Sequence, residues 1–296
     1  MQVQVDQFLR YLRSEKGYSE NTIAAYQNDL RQFITLFSQI TAGSIDSWAE
    51  VDHQLIQAYG KYLEEQSYAS STVARKVAAV RSFFSFMLDA DLLTDNPALA
   101  LNAPKVEKQV PRILSVEEVE RLLAEPARGT TPKALRDRAL LELLYATGTR
   151  VSEAITLQLD DLDLAEACLF CTGRDGKRRR LSLSPQALKA LFRYLEKGRD
   201  ALLQDRAETT LFVNQRGRPL TRQGLWLIIR SYAEAADLGP GVTPHTLRHT
   251  CAAHRLAQGS DLQKVRELLG HANISSTQVY VDLVSPFDGA SDADLV

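Results

Sequence analysis

Four short stretches in the second half of the chain gather the side chains most able to do chemistry. They are Ala146-Thr-Gly-Thr-Arg150-Val-Ser-Glu153, the basic run from Gly173 to Arg180, His245-Thr-Leu-Arg248-His249, and Leu268-Leu-Gly-His271 followed by Tyr280. His245, Arg248 and His249 are three and four residues apart, so one helix face presents two imidazoles and a guanidinium together. Such a face suits a phosphodiester. A guanidinium grips two non-bridging oxygens at once, and a neutral imidazole exchanges a proton near pH 7. A tyrosine among two arginines and two histidines is expected to ionise more readily than its usual pKa of about 10 allows, because cationic neighbours favour the phenolate. The His245/His249 spacing, with His254 behind it, also has the look of a metal site. A hydrolytic zinc wants a third ligand and a positioned carboxylate. No glutamate lies between these histidines and Arg248 would repel the cation, so no metal is expected.

Local patterns predict the elements that hold these residues. Asp261 to Leu269 reads as a compact helix closed by Gly270 in the left-handed conformation, so His271 emerges where the chain turns. Ser275-Ser-Thr-Gln278 resembles a capping box and places Tyr280 early on a short helix. Glu153, one turn after Arg150, is placed to orient that guanidinium, a surface ion pair being the alternative. Cys168 to Thr172 and Arg178 to Ser184 flank Asp175-Gly176, the signature of a two-residue type I′ hairpin turn. Leu181 and Leu183 alternate with Arg180, Ser182 and Ser184, as a half-buried strand should. Upstream, Phe8, Leu9 and Leu12 form an apolar stripe. Ser19 to Thr22 caps a helix over Ile23 to Phe37, and another fits Asp52 to Gln66. Ser70-Ser-Thr72 opens a long helix that Asn96-Pro97 is expected to stop. Arg75, Lys76 and Arg81 lie on it as candidate phosphate contacts. Residues 104–112 lack periodicity and are bracketed by prolines, which marks a linker between an N-terminal helical domain (1–103) and a C-terminal domain (113–296) opened by the capping box Ser115 to Glu118.

Composition bounds the reading without choosing a function. The chain has 296 residues, 45% hydrophobic and 24% charged, and no apolar run nears the roughly 18 residues of a membrane helix. Its start has neither the basic end nor the apolar stretch of a signal peptide. The three cysteines suit a reducing cytosol; the C-x-x-C of Cys168 and Cys171 falls in a strand, where residues three apart point to opposite faces. Net charge is −2, yet residues 1–110 hold 10 basic and 13 acidic side chains while the rest hold 25 and 24. Within the second part, Arg174, Lys177, Arg178, Arg179 and Arg180 crowd against a single Asp175, a patch fit for a nucleic-acid backbone or a solvated turn.

Arg150, His245-x-x-Arg248, Leu-Gly-His271 and Tyr280 resemble, in order and spacing, the signature of the tyrosine recombinases of the phage integrase family. Glu15-Lys-Gly-Tyr-Ser19, Val80-Arg-Ser-Phe-Phe84, Pro111-Arg-Ile-Leu-Ser115, His245 to Thr250 and Glu267 to Ala272 are similar to the Xer subfamily, over roughly residues 5–282. The resemblance implies a mainly helical protein with a small β-hairpin, two domains forming a C-shaped clamp on DNA. It implies attack of Tyr280 on the scissile phosphate, a 3′-phosphotyrosyl bond, and rejoining by the 5′-hydroxyl of a partner duplex, with no cofactor, metal or ATP. Arg150 and Arg248 would stabilise the transition state, and His245 and His271 would bind the phosphate, His245 accepting the proton of Tyr280. The partners implied are a double-stranded recombination site and a homo- or hetero-tetramer on two duplexes, with a DNA translocase as a candidate activator and no membrane.

Two features depart from the family. Its hairpin carries Gly-Lys-Gly with the lysine as general acid, and Arg174 stands there in this chain. A two-residue turn would make Arg174 and Lys177 a cross-strand pair about 5 Å apart, letting Lys177 supply the proton. The tail, 283–296, holds Pro286, Gly289, three aspartates and no basic residue, where the family usually has a docking helix; the expectation is a disordered end after Pro286. Chromosome or plasmid dimer resolution is the implied task. A mobile-element integrase, a type IB topoisomerase-like enzyme and a catalytically impaired DNA-binding regulator stay open.

Overall fold

A computed structural model describes residues 1–41, 43, 47–106, 110–173, 176–271 and 273–284. The chain divides into two compact units, Met1–Gln109 and Val110–Val296. In the first, helices α1 (Gln2–Ser14), α2 (Glu20–Ile40), α3 (His53–Glu65) and α4 (Ser70–Asp89) surround an aromatic core. Phe8, Phe33, Phe37, Tyr59, Phe83 and Phe84 are fully or almost fully buried there with Trp48. Edge-to-face pairs such as Phe33–Tyr59 at 4.7 Å interlock the rings beyond simple area burial. Helix α2 begins where expected, with the Ser19 hydroxyl accepting from the Thr22 amide. Helix α4 stops at Asp89, seven residues before the expected stop. Asp91 takes a left-handed φ of 55°, and Asn96 instead caps a short 3-10 turn at Pro97–Ala100.

The three basic residues of α4 proposed as phosphate contacts turn toward the protein instead. Lys76 is buried, its ammonium on Asp29 and Gln32, and Arg75 ion-pairs with the same carboxylate. Asp29 is completely buried, so its charge needs both cations, and removing one partner of such a pair costs roughly 3–5 kcal/mol. Arg81 donates to the Leu99 carbonyl. The expectation that Lys76 meets DNA is therefore wrong, and Arg75 and Arg81 are committed to structural partners.

The second unit is helical around one small sheet. Helix α5 (Val116–Ala127) opens with the expected box, Ser115 and Glu118 capping each other. Helix α6 (Pro132–Thr147) runs through the centre and ends at Gly148, after which α7 (Val151–Ala154) begins. The sheet has strands β1 (Leu162–Asp163), β2 (Cys168–Thr172) and β3 (Arg178–Ser182) in antiparallel order β1-β2-β3, so β3 is an edge. Leu169 and Leu181 face each other on the buried side, and Cys168 and Cys171 are both buried. Helix α8 (Pro185–Arg193) leads through a π-helical turn into α9 (Asp200–Leu202). There follow α10 (Arg222–Ala235), α11 (Pro244–Ala257), α12 (Leu262–Leu269) and α13 (Ser275–Val284).

Two expectations about local chemistry need correction. The ladder pairs Thr172 with Arg178, and the Gly173 amide donates to the Lys177 carbonyl at 2.8 Å. Three residues, 174–176, therefore close the hairpin, with Gly176 left-handed at φ 74°, and Lys177 faces Gly173 rather than Arg174. Arg174 and Asp175 themselves lie outside the described residues, as does the tail from 285 onward. Ser275 is the first residue of α13, not its cap: the Asn273 side chain accepts from the Ser275 amide and hydroxyl. Among the described residues, no helix is long and apolar enough to cross a membrane.

Candidate active site

Helix α12 is the pivot of the site. Gly270, at φ 62°, caps its end as the sequence predicts, and Asp261, read there as the first helical residue, caps its start. A helix end leaves carbonyls without partners and a partial negative charge. Here three consecutive carbonyls each receive an arginine. Arg179 Nε donates to Leu268 O at 3.1 Å, Arg248 Nη2 to Leu269 O at 2.6 Å, and Arg150 Nη2 to Gly270 O at 2.7 Å. Arg248 also donates to Gly148 O at 2.6 Å. That glycine sits left-handed against Leu269 and Cys251; a Cβ there would lie 2.8 Å from Leu269 Cδ2, so α6, α11 and α12 meet this closely only without a side chain. The gathered guanidiniums repel one another. Burial, and then the charge of Arg150, lower the pKa of Arg248 to about 10.

Glu153 balances this charge. Its carboxylate is 4% exposed and takes four hydrogen bonds: from the Arg150 amide at 2.8 Å, Arg150 Nη1 at 2.9 Å, and the two ends of Arg179 at 3.0 and 2.7 Å. Burial works against the carboxylate, but the Arg179 and Arg150 hydrogen bonds and charges outweigh it and hold its pKa at about 2. Glu153 thus orients Arg150 from the interior, not as a surface pair. Arg178 and Arg180 alternate away from Arg179. Arg178 stacks on Phe170 at 4.5 Å and pairs with Asp161, while Arg180 reaches Glu166. The basic run is divided by the two-residue period of the strand.

The histidines separate by environment. His245 is exposed on α11. His271 is half-buried, its Nδ1 bonded to the buried Thr277 hydroxyl at 3.0 Å, and burial together with Arg248 and Arg150 lowers its pKa to about 4. His249, which the sequence reading placed on the same face without a role, holds Tyr280: its Nδ1 lies 2.7 Å from the tyrosine hydroxyl. Burial, then His245 and Arg248, lower the pKa of His249 to about 4, so it is neutral near pH 7 and, with its proton on Nε2, can accept from the hydroxyl. Tyr280 is 3% exposed, and burial raises its pKa although Arg248 and Arg150 pull it down. The expectation of a readily ionised phenol is wrong in this state because desolvation exceeds the cationic attraction. His249 could have been suspected from its i, i+4 spacing to His245, but no local pattern shows where α13 returns.

A cleft of about 900 Å³ opens beside these groups, lined by Arg150, Lys177, Arg179, Arg255, Lys264 and His271 among others. Lys177 lies two residues from Arg179 and so on the same face of the hairpin. Arg255, Lys264 and Arg266 add basic lining from α11 and α12 that the sequence reading did not single out.

Known proteins match along most of the chain. The phage integrase family model matches residues 112–285, and the model of the phage integrase N-terminal SAM-like domain matches residues 5–91. The tyrosine recombinase XerC of Roseiflexus sp. (strain RS-1) is 45% identical over 285 residues, covering 96% of this chain and 90% of that protein. The tyrosine recombinase XerD of Halalkalibacterium halodurans is 42% identical over 276 residues, 93% of this chain and 91% of that one. Among solved structures, XerA recombinase matches with TM-score 0.53 and 27% identity over 98% of this chain and 99% of that one. XerH bound to its difH substrate before cleavage matches in fold, with TM-score 0.72 at 22% identity over 97% and 84%. With two family models spanning both units and relatives this similar over nearly the whole length, the chain belongs to the phage integrase family, as a tyrosine recombinase of the Xer type.

Proposed function

We propose that Tyr280 is the nucleophile of this recombinase and that the scissile phosphate sits between Arg150 and Arg248. The observation that carries this reading is the anchoring of both guanidiniums on adjacent carbonyls at the end of α12, with their charges reaching Tyr280. Fixed cations aimed at a pentacoordinate phosphorus lower its barrier without reorganisation. His271, neutral and held by Thr277, donates a further hydrogen bond to the phosphate, and exposed His245 binds it from α11. In the first step the Tyr280 O–H bond breaks, the oxygen bonds to phosphorus, and the P–O5′ bond breaks. His249 already stands against the hydroxyl and takes the proton; burial, then His245 and Arg248, hold its basicity down, and the phosphate charge opposes the last two. Lys177 delivers a proton to the leaving 5′-oxygen. Arg174, the family's lysine position, has a pKa too high for that task. The reverse steps with a 5′-hydroxyl from a second duplex reseal the strand, one phosphoester replacing another.

The substrate in this reading is a double-stranded recombination site bound by two protomers, four on two duplexes, and the task is dimer resolution of chromosomal DNA in the cytoplasm. That the relatives are named tyrosine recombinases XerC and XerD supports a recombination site as the substrate. The test is a binding site selected from random duplex and nicked within the bound sequence, which traps a covalent adduct by losing the attacking strand. Wild type should form the adduct and Tyr280→Phe none, while both bind the duplex alike. Adduct in Tyr280→Phe, or relaxation of plasmids without pairing of duplexes, refutes the assignment.

A further inference from the structure

Arg179 lies in a basic strand facing a basic cleft, where a phosphate contact is the natural expectation. Its geometry is different. The side chain is 14% exposed, and its two terminal nitrogens lie flat on both oxygens of Glu153, the bidentate arrangement that only arginine supplies. Its third nitrogen holds Leu268 O. Arg150 is held likewise between Glu153 on one side and a carbonyl at the end of α12, Gly270 O, on the other. Arg150, Glu153, Arg179 and residues 268–270 thus form a closed ring of hydrogen bonds. The ring ties the edge strand β3 to the start of α7 and the end of α12, and His271 is the next residue along.

We propose that Arg179 is a positioning residue: it holds Glu153 and the end of α12 so that Arg150 and His271 stand ready for the phosphate, and it does not bind DNA. The inference rests on the recombinase reading above. Arg150 with a loosened Glu153 keeps its charge but loses its direction, and a misplacement near 1 Å costs on the order of 10²-fold in rate. Lysine at 179 would keep the charge yet offer one point of contact where the carboxylate needs two.

The experiment uses the full chain in three variants: Arg179→Lys, Arg179→Met, and Arg179→Met combined with Glu153→Met. Three readouts are taken on each: adduct formation on the nicked site in a single turnover, thermal stability, and the salt dependence of duplex binding. Losing one phosphate contact lowers the slope of log K against log salt by about 0.9. Expected are unchanged slopes for both single variants and cleavage slower by about 10²-fold. The double variant removes the buried carboxylate left without its partner, so it should recover stability relative to Arg179→Met but stay slow. A slope lower by one phosphate in Arg179→Met, which removes the cation that lysine would keep, makes Arg179 a DNA contact and overturns the proposal. So does a double variant whose cleavage returns with its stability, because the role would then be structural only. Wild-type adduct formation is the separate arm on which the recombinase reading stands, and the salt arm reads Arg179 whether or not the chain cleaves.

Discussion

Gly270→Ala offers a measurement of how tightly the arginines are held. Two separate consequences follow from the geometry. First, the residue sits at φ 62°, and an alanine in the left-handed region costs roughly 1–2 kcal/mol. In a unit of this size each kcal/mol lowers Tm by about 2–4 °C, so the melt should fall by roughly 2–8 °C. Second, the added Cβ would lie 3.2 Å from Arg179 Nη1, 3.3 Å from its Cζ and 3.4 Å from Arg150 Nη1, so the guanidiniums must give by a few tenths of an ångström. Both are fixed on Glu153 and cannot swing aside singly. A displacement smaller than the 1 Å that costs 10²-fold should slow cleavage about tenfold. Gly259→Ala is the matched control. Its φ is 82° and nothing lies within 4 Å of its Cβ position, so it carries the same backbone penalty with no guanidinium to move. Differential scanning calorimetry and single-turnover adduct formation on the nicked site separate the two effects. The expected result is similar loss of Tm in both variants and slow cleavage in Gly270→Ala alone. Equal cleavage by the two would show that Arg150 and Arg179 have room to adjust, and the reasoning about a rigid ring would fail.

Acid should destabilise the second unit through its buried histidines. His249 and His271 have folded pKa values of about 4 and His254 is lowered too, against about 6.5 unfolded, so the unfolded chain binds more protons as pH falls. Stability present at pH 7 is thus lost between about 6.5 and 4, and His249→Asn should flatten that slope in urea melts; an unchanged slope refutes it. For the leaving group, a 5′-bridging phosphorothiolate needs no proton. Lys177→Ala should cleave it nearly as fast as wild type but fail on ordinary DNA, and equal slowness on both would remove Lys177 as the acid.

What the sequence made legible was local. Ser19, Ser115 and Gly270 all cap where their types and spacing predict, because capping is chemistry among neighbours within one turn. The alternation of Leu181 with Arg180 and Ser182 likewise predicts which face of β3 is buried. Partners distant in the chain were not legible. Lys76 has the composition of a surface residue, and only the return of α2 beside α4 brings Asp29 to it. The Asp-Gly pair argues for a two-residue turn, but the register that opposes Leu169 to Leu181 leaves three residues in the loop. The residue types that gather at the candidate site were evident from their clustering in the sequence. That Tyr280 rests on His249 rather than on His245 depends on the angle at which α13 crosses α11, which no spacing encodes.

Helix α13 carries a consequence of its own. Thr277, which steadies His271, and Tyr280 lie three residues apart on this one helix. A rigid helix has no means of shifting one without the other. Any displacement of α13 large enough to lift the tyrosine from His249 also disturbs the threonine on His271, so the nucleophile and the phosphate ligand of the proposed mechanism share a single mechanical coordinate. A force applied to α13 is felt by both at once.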